Sequence, residues 1–147
     1  IYVIMNIGAF SCLYLLKKDG QYKESISDLS GISKKHPILA ISLLIILFSL
    51  AGIPPLGGFF AKFYVFVAVL EQEMYTLAII GLLTTVMSAF YYLKIIKTIY
   101  FDDSAITFDL TKNKKAQFSI FASCIFLVTF FLYPSIFNNM VTALFVS

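Results

Sequence analysis

Lys62 is the one charged side chain set deep in an apolar run, within "LAGIPPLGGFFAKFYVF" from Leu50 to Phe66. A lysine at the centre of a membrane-spanning helix costs about 2.5–3.5 kcal/mol on insertion scales, so such residues face a bundle interior or a water-filled cavity. Taken out of bulk water, the side chain is no longer locked as an ammonium and can accept and release a proton. The chemistry open to Lys62 is therefore proton exchange, or service as a counter-charge for a neighbour. The competing structural reading is snorkelling of the ammonium to the interface. Lys62 stands eight residues in from Leu70, about 12 Å at helical rise, whereas snorkelling belongs to helix ends.

The residues just before the lysine are helix breakers: Gly52, Pro54, Pro55, Gly57 and Gly58. Proline removes a backbone donor and disfavours helix in the residue before it, and glycine permits dihedrals that other residues avoid. Unwound backbone at membrane depth must be buried in protein or line a cavity, because lipid leaves its polar groups unsatisfied. Discontinuous helices of this kind form ion and substrate sites in transporters. Lys62 lies four residues after Gly58 and is expected to meet the positive end of the second half-helix. A packing kink is the alternative for the breakers alone.

A partner surface is predicted on the next apolar run, "GLLTTVMSAFYYLK", where Gly81, Thr84, Thr85, Ser88 and Tyr91 recur at helical spacing. Thr84, Thr85, Ser88 and Tyr91 are candidate cavity-lining residues, with plain helix–helix packing through small residues as the alternative. Lys94 at the end of that run is a candidate proton entry point or a surface anchor.

The elements that must position these groups are membrane helices. Hydrophobic residues make up 60% of the chain and charged residues 13%, well outside the composition of a soluble domain. Four apolar stretches are expected to span, at 1–16, 38–70, 75–93 and 118–137, in a single membrane domain covering 1–147. The second, at 33 residues, would make a straight helix of about 50 Å, too long for one crossing. It is therefore one discontinuous helix broken at 52–58, or a re-entrant hairpin.

Charge placement selects between these. Ten of the eleven lysines fall in two loops, 17–37 and 94–117. The positive-inside rule puts both on the matrix or cytoplasmic side, which requires an even number of crossings between them and hence a broken helix that crosses. The connection "EQEM", with Glu71 and Glu73, then lies outside, as does the tail, where Val141, Leu144 and Phe145 can share an interfacial helical face. The chain opens on Ile1 inside an apolar run with no initiator Met or basic leader, and is expected to be one portion of a larger or split protein.

Cys12 and Cys124 lie far apart in sequence with no CxxC or metal-ligand spacing and are read as packing residues. His36, in "KKHP", is read as solvated or interfacial. Asn6 and Ser11 are read as interhelical hydrogen-bonding groups. The sequence contains no P-loop, GxGxxG, HExxH or nucleophile elbow, and no carboxylate inside an apolar run, so the chain has no nucleotide-binding or redox motif of its own.

"SLAGIPPLGGFFAKFYVF", with "MNIGAF" upstream, "HP" shortly before it and "FYYLKIIKTIYF" after it, resembles the C-terminal part of the subunit N (chain 2) family of proton-pumping NADH:quinone oxidoreductase, respiratory complex I. The resemblance runs through nearly all 147 residues. It implies an all-α membrane protein contributing four transmembrane helices, the second discontinuous, to an antiporter-like fold of fourteen helices with two inverted repeats. It also implies that Lys62 takes part in the proton pathway. The sister subunit, chain 4, typically has glutamate there, and the lysine weighs against that assignment. The other broken helix, with its lysine and paired acidic residue, has no matching positions in this sequence.

The expected function is proton translocation in the membrane arm of a NADH:quinone oxidoreductase, with Lys62 exchanging the proton. No cofactor or metal is expected on this chain; the resemblance places NADH, FMN, iron–sulfur clusters and quinone on other subunits. Expected partners are other membrane-arm subunits of complex I, a chain supplying the missing N-terminal helices and the lipid bilayer, with no nucleic acid. The expected location is the mitochondrial or bacterial inner membrane. The alternatives are a subunit of a multisubunit cation/proton antiporter and a purely structural helix bundle.

Overall fold

A computed structural model of the chain describes residues 1–18, 21–22, 25–103, 109–110 and 113–133. The architecture is helical: α1 (Tyr2–Leu15), α2 (Ile32–Lys35), α3 (Pro37–Ala51), α4 (Gly57–Glu71), α5 (Tyr75–Phe101) and α6 (Lys114–Leu132), with a 3-10 turn at Ile26–Leu29. The tail residues Val141, Leu144 and Phe145 lie outside the described residues.

The core forms where α1, α3 and α6 meet. Met5 and Cys12 of α1, Leu43 and Ile46 of α3, and Ile120 and Leu127 of α6 are all buried in one cluster. Pro37 opens α3, where its missing N–H costs nothing and its fixed φ suits the first turn. Asn113 caps α6, its Oδ1 accepting from the N–H groups of Lys115 and Ala116. α4 packs on α6 through Phe60, whose ring lies 5.8 Å from that of Phe131.

Helix boundaries differ from the sequence reading in three places. α5 does not stop at Leu93 but runs on to Phe101, so the first residues of the 94–117 loop are helical. The cause is packing: Lys94 and Lys97 are exposed while Ile96, Thr98 and Ile99 are buried, so an inward face continues beyond the apolar run. α6 begins at Lys114 rather than 118, because Asn113 supplies the cap five residues before Phe118. The break is shorter than 52–58, since α4 resumes at Gly57.

The two lysine-bearing loops share one end of the bundle. Strand β1 (Leu16–Lys18), leaving α1, pairs antiparallel with β2 (Gln21–Tyr22) and with β3 (Asp109–Leu110), which precedes α6. The Gly31 N–H donates to the Thr98 carbonyl oxygen at 3.2 Å, and Lys34 pairs with Asp103 at 2.7 Å. The start of α3 thus lies beside the end of α5. Between them, the 3-10 turn and α2 both pack on α5.

Most of α5 is uncovered. Leu82, Leu83, Val86, Met87 and Phe90 are each more than half exposed. α5 and α6 are both long and apolar enough to cross a membrane, and a broad apolar surface of this kind suits lipid or further helices.

Candidate functional site

α3 ends because Gly52 adopts a left-handed conformation, φ 81°, which costs a side-chain-bearing residue about 1–2 kcal/mol. The Gly52 and Ile53 N–H groups return to the Phe48 carbonyl oxygen, both at 3.1 Å, closing a Schellman-type cap. The carbonyls of Leu50 and Ala51 are left without successors in the helix. Lys62, one turn into α4, supplies their donor: its Nζ donates to Leu50 O at 3.0 Å and to Ala51 O at 3.2 Å.

This arrangement corrects the expected electrostatics. The backbone of Lys62 belongs to the N-terminal part of α4, but its ammonium reaches the C-terminal end of α3, the negative pole of that helix. A flexible four-carbon stem carries the charge across the break.

Two glycines permit the approach. A Cβ on Gly52 would stand 2.8 Å from Cδ of Lys62, and one on Gly58 would overlap the Ser49 carbonyl oxygen. Gly58 therefore lets the first turn of α4 lie directly on the last turn of α3. Its N–H, one of the orphan donors at a helix start, donates to Ser49 Oγ at 3.0 Å, and Ser49 is fully buried. Pro54 and Pro55 are exposed and turn the chain between the helices.

Lys62 lines a cleft of about 530 Å³ between α4 and α5, with α1 at its edge; Thr84, Thr85, Ser88 and Tyr92 lie across from it. Tyr91 lines no part of this cleft and is 63% exposed. At 100° per residue, Tyr92 falls within about 20° of the Gly81 direction and Tyr91 about 80° away. The polar stripe thus continues through Tyr92 instead of Tyr91. Thr84 donates to the Gly81 carbonyl and Ser88 to that of Thr84, both at 2.9 Å, so both protons satisfy their own helix and the hydroxyl oxygens remain as acceptors. Lys94 is exposed and is not among the cleft residues.

Sequence reasoning missed Ser49 and Tyr92. Ser49 carried a signal, as a polar residue in the apolar run nine positions before Gly58. Tyr92 needed only strict helical phasing. In α1, the Ser11 hydroxyl donates to Ser119 of α6 at 3.2 Å, while the Asn6 amide donates within its own helix to the Tyr2 carbonyl oxygen.

Residues 1–88 match the family model described as NADH:quinone oxidoreductase/Mrp antiporter, TM. A protein of Pelagibacter ubique named NADH-quinone oxidoreductase subunit N is 58% identical over 135 residues, covering 92% of this chain and 29% of its own length. The protein of the same name from Parvibaculum lavamentivorans is 45% identical over 135 residues, 92% of this chain and 28% of its own. A chain of respiratory complex I from Thermus thermophilus, solved with bound aureothin, matches with a TM-score of 0.77 at 24% identity, covering 91% of this chain and 30% of that one. This chain spans less than a third of the length of these relatives. With its family match extending over more than half of its residues, the chain belongs to the NADH:quinone oxidoreductase/Mrp antiporter transmembrane family.

Proposed function

We propose that the chain is part of a proton-translocating membrane-arm subunit of a NADH:quinone oxidoreductase, and that Lys62 exchanges the translocated proton. One observation carries this reading: the Lys62 ammonium, held by two helix-end carbonyls at the break, borders a cleft whose far wall holds the hydroxyls of Thr84, Thr85 and Ser88. Release from Leu50 and Ala51 would turn Nζ toward those acceptors. The redox cofactors belong to other subunits, and the helices that complete the fold come from the remainder of the protein.

In this proposal α3 and α4 form one discontinuous crossing, flanked by crossings of α1, α5 and α6. Each half has 15 residues, about 22 Å, too short alone for a hydrocarbon core of about 30 Å. The Gly31–Thr98 hydrogen bond and the β1–β3 pairing support an even number of crossings between the lysine loops. The loops face the cytoplasm or matrix under the positive-inside rule.

The test is NADH-driven proton uptake by inverted membrane vesicles carrying Lys62→Met in a complex of normal abundance. Fewer protons per NADH oxidised supports the proposal; an unchanged ratio sinks it. A second reading, a subunit of a cation/proton antiporter, draws on the family description, which names both systems. It predicts sodium-dependent proton movement without NADH. A structural bundle predicts that Lys62→Met is silent while bulky residues along Gly81–Ser88 impair assembly.

A further inference from the structure

Tyr92 is the last residue that α5 contributes to the Lys62 cleft. Thr85, Ser88 and Tyr92 fall within about 60° of arc at 100° per residue, with rises of roughly 4.5 Å and then roughly 6 Å along the helix. Beyond Tyr92 the same face continues through Ile96 and Ile99, both buried in the core. A proton moving along this face of α5 therefore meets a dry apolar seal one turn past the phenol. From α1, Tyr2 lines the edge of the cleft and stands close enough to act electrostatically on Tyr92.

The hydroxyls of the cleft are not equivalent. Those of Thr84 and Ser88 give their protons to carbonyls of their own helix, so they accept from an ammonium and hand nothing on. A phenol both donates and accepts, and its acidity in water is close to that of an alkylammonium, at about 10 against about 10.4. A proton passes between two such groups almost without a free-energy step, whereas an aliphatic hydroxyl is far less acidic and offers no such match. The cleft, at about 530 Å³, has room for several waters at about 30 Å³ each, and one water bridges hydroxyls about 6 Å apart.

We propose that Tyr92 is the proton-relay residue of the Lys62 cleft, which rests on the proton exchange proposed for Lys62. Its phenol oxygen takes the proton that the ammonium gives up, handed over by cleft water, as its own proton leaves to water at the α1 edge beside Tyr2. One O–H bond forms and one breaks. The phenol is neutral before and after, and the amine is left uncharged. Tyr91, one position earlier, lies outside the cleft and does not substitute.

The test uses inverted vesicles of the assembled complex carrying Tyr92→Phe, fluorotyrosine in place of Tyr92, or Lys62→Met. Tyr92→Phe keeps the ring against the core and removes only the hydroxyl. NADH-driven proton translocation should fall on the order of tenfold in this variant, with the unfolding midpoint unchanged. Fluorotyrosine restores a more acidic hydroxyl and should recover translocation, with the alkaline limb of the pH profile moved to lower pH. The titratable groups facing the phenol are Lys62 of α4 and Tyr2 of α1, and α3, which also packs on α5, carries none. An unmoved pH profile would assign the hydroxyl a structural role and overturn the proposal. Full translocation in Tyr92→Phe would overturn it too: the reading of Lys62 then stands if Lys62→Met is impaired, and falls as well if both variants are unaffected. Should Tyr92→Phe fail to assemble, the fluorotyrosine profile decides.

Discussion

The ammonium of Lys62 donates to the carbonyl oxygen of Leu50 at 3.0 Å, across the helix break and twelve positions back along the chain. The lysine therefore caps the helix before the break, although it belongs to the helix after it. Its charge and the polarity of α3 are complementary, and the cleft beside it offers hydroxyl oxygens for a second position.

Lys62→Arg separates proton exchange from a fixed charge. Arginine can bond the Leu50 and Ala51 carbonyls but does not deprotonate in proteins. NADH-driven proton translocation should fall on the order of tenfold or more in this variant, with assembly retained. Translocation at the unaltered rate would assign Lys62 the role of a fixed counter-charge.

The glycines at the break should respond unequally to alanine. Gly58→Ala places a methyl on the Ser49 carbonyl, and overpacking of this kind costs about 1–3 kcal/mol. At Gly57 the nearest atoms to a new Cβ stand 3.4 Å away, an ordinary contact. Thermal unfolding of the purified complex should show a clear loss for Gly58→Ala and little for Gly57→Ala; equal losses would refute the packing of α4 on α3 described above.

Ser49→Ala leaves the Gly58 N–H without its acceptor in a buried site. The expected loss is about 1–3 kcal/mol, read as a lowered midpoint in a denaturant titration. Ser49→Thr, which keeps the hydroxyl, should lose less.

On α5 the register predicts that Ser88→Leu, which fills the cleft, lowers proton translocation, whereas Tyr91→Phe leaves it unchanged. Vesicle assays on the two variants side by side measure this, and a larger effect at Tyr91 would contradict the phasing through Tyr92.

At the loop end, the hydrogen bond and charge of Lys34 hold the Asp103 carboxyl below the usual carboxylate range. A carboxyl depressed in the folded state contributes stability above its unfolded pKa, and that contribution fades as pH falls through the folded value. Both side chains are largely exposed, at 64% and 94%, so solvent screens the pair. Asp103→Asn should barely move the unfolding midpoint at neutral pH, and the small difference should vanish in acid or high salt.

Much of this was legible from local chemistry. An apolar composition dictates membrane helices because backbone polar groups in lipid must be satisfied within the segment. Gly52, Pro54 and Pro55 act through backbone sterics confined to a few residues, so their effect on the chain is readable without neighbours. The motif around Lys62 likewise carried the family resemblance, and the family match includes it.

Other features depended on partners distant in sequence. The extension of α5 to Phe101 follows from burial of Ile96 and Ile99 among the residues of the core, which periodicity within "KIIKTIYF" does not disclose. The place of Ser49 follows likewise from the contact of α4 with α3, since its hydroxyl meets the Gly58 N–H only once the two helices lie together.

The sequence by itself determined an apolar helical chain, breakers before a lysine and the family to which they belong, because each depends on residue type and near spacing. Only the tertiary structure decided where the ammonium goes. A lysine stem spans several ångströms, so its charged end is positioned by whatever unsatisfied acceptors lie within reach. Here those are the Leu50 and Ala51 carbonyls, brought there by the close contact of Gly58 with Ser49.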